Sequence, residues 1–152
     1  MNFSIIAIGR AKAGPERELF RHYAARIQWP LELIELEEKR KLPPAQTMAA
    51  ENALLIGAIP KDFTVVALDR RGKPLDSAGL AAHIAQQRDS GRAGIAFLIG
   101  GADGLSEATL KRATLVLSFG ALTWPHMLAR AMLAEQLYRA QQIIAGHPYH
   151  RG

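Results

Sequence analysis

The residues best suited to hold a ligand follow three apolar segments of the chain. Leu68-Asp69 ends the first segment, residues 99–104 end the second, and residues 118–126 end the third. If these segments are parallel strands, their carboxyl ends meet at one edge of a sheet, where α/β proteins bind ligands. The glycines Gly100-Gly101 and Gly120 would let the backbone approach a ligand closely. Taken singly, glycines at strand ends are more typical of plain turns.

The C-terminal tail holds a second group of reactive side chains. Tyr149, His150 and Arg151 follow Pro148 and Gly146, the glycine that ends a long helical pattern. A phenol, an imidazole and a guanidinium suit base stacking and proton handling on RNA. A solvated tail of chance composition is the alternative, because chain ends are commonly disordered.

Several classes of active site lack their signature residues. No Gly-x-Gly-x-x-Gly follows the first apolar segment and no Gly-Lys-Ser/Thr exists, which argues against ordinary dinucleotide and P-loop sites. A hydrolase would pair Ser118 and His126 with Asp69, but no serine lies in a nucleophile elbow. The chain has no cysteine, and no acidic residues cluster near His147 and His150, so no metal site is expected.

Alternating strands and helices must position these groups. Strands are predicted over residues 3–8, 31–36, 63–68, 94–99 and 115–119. Helices are predicted after Gly14-Pro15, over residues 48–59, after Ser77 as N-cap, after Ser106 and over residues 126–145. Residues 70–74 are predicted to form a turn. This alternation predicts a single α/β domain with a largely parallel sheet.

The final predicted helix carries apolar side chains on more than one face. Met132 and Leu133 are adjacent, and polar residues such as Arg130 and Glu135 form no single stripe. A helix of this kind is usually buried on several sides. Either a second subunit covers one side, or the core of a monomer wraps the helix; we favour the dimer.

Composition is typical of a globular protein with a polyanionic partner. The 152 residues fit one domain, and 49% are hydrophobic, which suffices for a core. The formal net charge of +5 suits RNA, although mild basicity also serves solubility. Without cysteine, a signal-like start or an apolar stretch of membrane-spanning length, a cytoplasmic protein with no membrane attachment is expected.

A series of short motifs runs through the chain. In order, they are Leu68-Asp69-x-x-Gly72-Lys73, Phe97-Leu98-Ile99-Gly100-Gly101-x-x-Gly104, Leu117-Ser118, Thr123-x-Pro125-His126, Glu135-Gln136-Leu137-Tyr138-Arg139-Ala140 and His147-Pro148-Tyr149-His150-Arg151. This combination closely resembles the ribosomal RNA large subunit methyltransferase H family of the SPOUT superfamily. The resemblance spans essentially the whole chain and is most specific in its C-terminal half.

The resemblance implies a fold and a reaction. It implies a parallel-sheet SPOUT fold in a single domain over residues 1–152, with a C-terminal trefoil knot, and a homodimer. It implies methyl transfer from S-adenosyl-L-methionine, with S-adenosylhomocysteine as product, to N3 of pseudouridine 1915 in the helix 69 loop of 23S rRNA. The substrate would be the assembled 70S ribosome, with no metal involved.

The resemblance also implies site residues by position. The cofactor pocket would take one residue from each of two strand ends and a run from the third, namely Leu68, Gly100, Phe119, Gly120, Ala121, Leu122, Thr123 and Trp124. We add Gly101 because it adjoins Gly100. The tail residues Tyr149, His150 and Arg151 would face the RNA.

The chemistry required of these residues is modest. The sulfonium already activates the methyl group, so the protein mainly positions donor and acceptor. The proton on N3 must leave, helped by a base or by a cationic group that stabilises the anion. Tyr149, His150 and Arg139 are the candidate catalytic residues, and no base is assigned among them. Arg139 has an alternative partner in Glu135 four residues earlier, and Tyr138 is expected to pack.

Basic residues outside the tail could contact the RNA backbone. Arg70, Arg71, Lys73 and the run 39–41 are candidates for phosphate contacts, although charge runs are commonly just solvated.

A non-catalytic ribosome-binding module with the same fold is the main alternative function, and an assay of methyl transfer would separate it from a methyltransferase. A small-molecule hydrolase is the third, and the absence of an activated serine or a metal cluster disfavours it.

Overall fold

The computed structural model describes residues 1–151, in which strands and helices alternate as predicted. The strands are β1 (Asn2–Ile8), β2 (Leu31–Leu36), β3 (Phe63–Lys73), β4 (Gly94–Ile99) and β5 (Leu115–Leu117). The helices are α1 (Pro15–Ala24), α2 (Pro44–Gly57), α3 (Ser77–Asp89), α4 (Glu107–Arg112) and α5 (His126–Ile144). The predicted α/β class is therefore confirmed.

The five strands form one parallel sheet in the order β2-β1-β4-β3-β5. Side chains alternate across it, so Ile5 and Phe97 pack toward α1, α3 and α5, whereas Ile6 and Leu98 pack toward Leu55 of α2. Because all strands are parallel, the carboxyl ends of β3, β4 and β5 lie at the same edge. The trefoil knot implied by the resemblance stays a prediction.

Strand β3 is longer than predicted, and the predicted turn at residues 70–74 is wrong. Leu68 and Lys73 both align with Leu117 of β5, so the intervening residues form an irregularity in the ladder. Gly72 permits this path, because a Cβ there would lie 2.3 Å from the carbonyl oxygen of Val116. The glycine therefore serves a close approach of two backbones and not a turn.

The ends of other elements differ slightly from the predictions. The N-cap of α3 is Asp76, whose Oδ1 accepts from the Gly79 N–H at 2.7 Å, whereas the predicted cap Ser77 is the first helical residue. The hydroxyl of Ser77 instead donates to Gln136 of α5 at 2.7 Å. Ser106 is confirmed as the N-cap of α4. Strand β5 ends at Leu117, two residues earlier than predicted.

The apolar character of α5 is explained within one chain. The helix packs against α1 and α3, and its buried side chains join the core cluster on the same face of the sheet. Leu133 is completely buried, whereas its neighbour Met132 is half-buried. The interpretation in which the core wraps the helix therefore accounts for the sequence pattern, and a second subunit needs support of its own.

Candidate active site

A cavity of about 610 Å³ opens at the carboxyl ends of β3, β4 and β5. It is lined by nearly all of the predicted cofactor residues, namely Leu68, Gly100, Gly101, Phe119, Gly120, Leu122, Thr123 and Trp124. Ala121 belongs to the same loop but is exposed and does not line the cavity. We call this space the strand-end cavity.

The loop after β4 forms one wall of the strand-end cavity. The Gly104 N–H donates to the Gly101 carbonyl at 3.0 Å, and Gly104 has a φ of 81°, so the loop turns back on itself. A Cβ at Gly100 would lie 3.0 Å from the Gly104 carbonyl carbon. The glycine pair therefore makes the tight loop possible and thereby shapes the wall.

Asn52 of α2 fixes this loop from behind and is only 4% exposed. Its amide nitrogen donates to the carbonyls of Met48 and Gly104, at 2.8 and 3.2 Å. Its amide oxygen accepts from the Ser106 N–H at 3.0 Å and the Thr109 hydroxyl at 2.6 Å. One buried amide thus joins α2, the loop and α4. Asn52 was not predicted, because a single asparagine within an apolar helical pattern carries no local signal.

We expect Asn52→Ala to lower the free energy of unfolding by about 2 kcal/mol, because buried partners in the loop and α4 lose their hydrogen bonds. Urea denaturation measures the change. The matched control is Gln86→Ala, which removes an exposed amide from α3 and should leave the midpoint nearly unchanged. Equal midpoints for the two variants would show that the buried amide does not hold the loop.

Arg71 links the irregular segment of β3 to the loop that follows β4. Its guanidinium donates to both carboxylate oxygens of Asp69 at 2.8 and 2.9 Å, to Glu107 at 3.0 Å and to the Leu105 carbonyl at 3.0 Å. The hydrogen bonds from Arg71 lower the pKa of Asp69, outweighing its burial. Arg71 thus braces the cavity wall, a role that competes with the phosphate contact predicted for it.

The third side of the cavity is the loop after β5. The Ser118 hydroxyl accepts from the Gly120 N–H at 3.0 Å, and the Trp124 indole donates to the Phe119 carbonyl at 3.2 Å. Leu122 nevertheless remains 70% exposed. A large apolar side chain left in water at a cavity rim is typical of a surface that another molecule covers.

The tail folds back onto α5, where the three predicted catalytic residues meet around Glu135. Arg139 donates to Glu135 Oε1 at 3.0 and 2.7 Å, and the Tyr149 hydroxyl donates to the same oxygen at 3.1 Å. Arg139 Nη1 lies 3.1 Å from His150 Nδ1. The predicted pairing of Arg139 with Glu135 is confirmed, as is the packing role of the buried Tyr138, which meets the Tyr149 ring edge-on.

The contacts of the tail define protonation states. Burial raises the pKa of Tyr149, and Glu135 raises that pKa further, so the phenol is protonated at neutral pH. The hydrogen bond to Glu135 raises the pKa of Arg139. Because a guanidinium only donates, Nδ1 of His150 must accept, which assigns the ring proton to Nε2. Glu135 contacts both Arg139 and Tyr149 and so holds this cluster together, a role that the sequence pattern did not predict.

A second cavity of about 770 Å³ lies beside the first, between α1, α3 and α5. His150 and Glu135 line it, and it shares Leu117, Phe119 and Gly120 with the strand-end cavity. The tail cluster and the strand-end cavity therefore lie on two sides of the 119–120 segment.

The structure does not form the alternative sites considered from the sequence. The Ser118 hydroxyl bonds to the Gly120 backbone and Asp69 is held by Arg71, so no triad with His126 exists. Among residues 1–151, no three His, Cys, Asp or Glu side chains are arranged to hold a metal ion. In the same range no helix is long and apolar enough to cross a membrane.

Comparisons with known proteins agree over the full length. Residues 1–150 match the family model described as "Predicted SPOUT methyltransferase". The chain is 51% identical to the ribosomal RNA large subunit methyltransferase H of Rhodospirillum centenum and 53% identical to that of Paramagnetospirillum magneticum, with 99% of each chain covered. The SpoU methyltransferase AviRb from Streptomyces viridochromogenes shares the fold at a TM-score of 0.50 and 13% identity, over 96% of this chain and 61% of that one. The chain thus spans about three fifths of that structure's length.

Proposed function

The chain belongs to the SPOUT methyltransferase family, in its ribosomal RNA large subunit methyltransferase H group, and we propose that it methylates large-subunit ribosomal RNA with S-adenosyl-L-methionine as donor. The identity of about half the residues over the full length of proteins with that name carries the proposal. The strand-end cavity supports it further, because motif residues such as Leu68, Gly100 and Thr123 line that cavity.

The strand-end cavity suits this cofactor. Its volume of about 610 Å³ lies within the range of small-molecule sites. Leu68, Leu122 and Trp124 offer apolar surface for the adenine ring, and the glycines at 100 and 120 leave the backbone open to polar groups. When bound, the cofactor supplies an activated methyl group. The chain's residues bind it, orient it and exclude water.

Within this activity we assign the target as N3 of pseudouridine 1915 in the helix 69 loop of 23S rRNA, methylated on the assembled 70S ribosome in the cytoplasm. The motifs Leu117-Ser118, Thr123-x-Pro125-His126 and 147–151 support the assignment, because the resemblance to the family is most specific in this half of the chain. The net charge of +5 supports a polyanionic substrate.

We propose that the tail stabilises an anion and does not act as the base. As the N3 proton leaves, negative charge builds on the carbonyl oxygens of the base. Arg139 brings a permanent positive charge, and the assigned proton on His150 Nε2 makes that atom a donor. The Tyr149 hydroxyl donates to Glu135 and therefore anchors the tail beside these two groups. Solvent then takes the N3 proton.

The test is to incubate the purified protein with labelled S-adenosyl-L-methionine and 70S ribosomes, free large subunits or naked 23S rRNA. We expect label on 70S ribosomes, and nucleoside mass spectrometry should locate it as N3-methylpseudouridine in the helix 69 loop. Label on naked rRNA alone would contradict the 70S substrate, and a different modified nucleotide would contradict the target.

Cofactor affinity tests the strand-end cavity. Gly120 has a φ of 102°, which a Cβ disfavours, and it lines the cavity. Gly120→Val should therefore bind the cofactor several-fold more weakly in a calorimetric titration. The control is Gly146→Val, because Gly146 has a φ of 73° but lies outside the cavity lining. Equal affinities for Gly120→Val and the wild type would place the cofactor elsewhere.

We also propose that the protein is a homodimer, whose interface uses the groove between α1, α3 and α5. Leu19 is 41% exposed there, and half-buried Met132 lines the same groove. The wild type should sediment as a dimer at micromolar concentration, and Met132→Lys should shift it toward monomer by burying a charge. Ala82→Lys on exposed α3 surface is the control. A monomeric wild type would contradict the proposal. Leu133→Lys cannot serve as a second test variant, because it would disrupt the core of each chain.

A further inference from the structure

A third cavity, of about 580 Å³, lies between the loop after β1, the first turns of α1 and the first turn of α5. Its lining contains six basic side chains: Arg10, Lys12, Arg17, Arg21, His126 and Arg130. It shares His126 with the strand-end cavity and no lining residue with the groove of the tail. We call it the basic cavity.

We propose that the basic cavity binds a backbone phosphate of the RNA substrate, so that it holds the strand beside the strand-end cavity. This inference rests on the proposed function for the identity of the RNA. It adds a phosphate-binding site, with Lys12 and Arg17 as the side chains that contact the anion.

A buried ion pair forms the floor of the basic cavity. Arg130 is 2% exposed; its Nη1 donates to Glu35 at 2.6 Å and its Nη2 to the Gly9 carbonyl at 2.8 Å. Glu35 also accepts from the Ala11 N–H at 2.6 Å. Burial alone would raise the pKa of Glu35, but these contacts lower it, so the carboxylate stays charged and compensates Arg130. The carboxylate of Glu35 is therefore already paired with Arg130.

The remaining cations have weak partners or none among the described residues. Arg10 and Arg21 make only exposed ion pairs at 3.6 and 3.7 Å, which contribute little in water. Lys12 and Arg17 form no ion pair within residues 1–151. Glu16 is the other carboxylate in the lining. The cavity therefore carries an excess of positive charge.

Two buried donors at this place lack an acceptor. The Nε atoms of Arg17 and Arg130 are inaccessible to solvent and have no hydrogen-bond partner among the described residues. Such orphaned donors are rare in native structures and indicate a group that completes them. Both arginines line the basic cavity. An anion is the group that would accept hydrogen bonds from two guanidinium donors.

Two helix N-termini also favour an anion in the basic cavity. Helix α1 begins after Gly14 and α5 after Pro125, and neither N-cap provides a side-chain hydrogen bond. Their first-turn residues Arg17 and His126 line the cavity. The free N–H groups and dipoles of helix N-termini favour anions, phosphate above all. Because His126 also lines the strand-end cavity, a phosphate here would lie next to the reacting base.

The experiment measures binding of 70S ribosomes between about 50 and about 200 mM salt, where phosphate contacts set the slope. Lys12→Gln and Arg17→Gln should each reduce the slope of log affinity against log salt by about one. Both variants should keep the wild-type melting temperature and cofactor affinity, because neither residue lies in the core or in the strand-end cavity. The control is Arg88→Gln on the exposed end of α3, which should keep the wild-type slope.

A second arm distinguishes RNA from free phosphate. Inorganic phosphate is titrated into the wild type while the His126 ring protons are followed by NMR. If both variants keep the wild-type slope, the inference is overturned. This holds even if phosphate shifts the His126 signals, because the cavity would then bind only the free ion. If the slopes fall as expected but the wild type transfers no methyl group, the proposed function fails and the phosphate site stands.

Discussion

Removal of the chain from Tyr149 onward is expected to abolish methylation of ribosomes while the strand-end cavity stays intact. The tail contributes Tyr149 and His150 to the cluster around Glu135 and Arg139, and it contributes nothing to the lining of that cavity. Loss of groups that stabilise a developing anion typically slows a reaction by about 100-fold to about 10,000-fold. We expect a single-turnover rate at least about 100-fold below the wild type, with cofactor affinity within about twofold.

Two point variants separate the contributions of the tail. Tyr149→Phe keeps the ring against Tyr138 but loses the hydrogen bond to Glu135, so it tests the anchor of the tail. His150→Ala should slow turnover more than it weakens ribosome binding if the imidazole stabilises the anion, and should do the reverse if it only anchors RNA. A full single-turnover rate from the truncated protein would remove the tail from the mechanism.

Gly72→Ala is expected to lower both the free energy of unfolding and the affinity for the cofactor. The new Cβ would lie 2.3 Å from the Val116 oxygen and 2.5 Å from its carbonyl carbon, both backbone atoms that cannot rotate away. Strand β5 or the irregularity of β3 must shift, and both adjoin the cavity. We expect a loss of about 3 kcal/mol in unfolding free energy and loss of measurable cofactor binding.

The matched control is Gly57→Ala at the end of α2. No atom lies within 4 Å of the Cβ that this change adds. Alanine is also the better helix former, so Gly57→Ala should be neutral or slightly stabilising. Chemical denaturation and calorimetric titration give both quantities. A Gly72→Ala variant as stable as Gly57→Ala would show that the two strands do not approach each other as described.

The alternation of elements could be predicted because apolar runs and helix breakers act locally. Strand β4 was predicted at its observed bounds from the five apolar residues between Gly94 and Gly100. The end of β3 was not predicted, because Arg70, Arg71, Gly72 and Pro74 have the composition of a turn. Only the approach of Val116, more than forty residues away in the chain, explains why they continue as a strand.

The site was predictable to the extent that motifs carry it. Every residue that the resemblance implied for the cofactor pocket lines the strand-end cavity, apart from the exposed Ala121. Asn52 and the pair of Arg130 with Glu35 were not predicted, because each joins segments that only the sheet topology brings together. The only contact predicted for Glu135 was its pairing with Arg139. Its contact with Tyr149 depends on the tail folding back onto α5.

Methyl transfer from labelled S-adenosyl-L-methionine to intact 70S ribosomes under single-turnover conditions tests the central claim most directly. The wild type should transfer a single methyl group per ribosome, and Gly72→Ala and the tail deletion should transfer far less in the same time. If the wild type binds the cofactor and the ribosome but transfers no label, the chain is a non-catalytic ribosome-binding module that kept the fold, and the account given above is wrong.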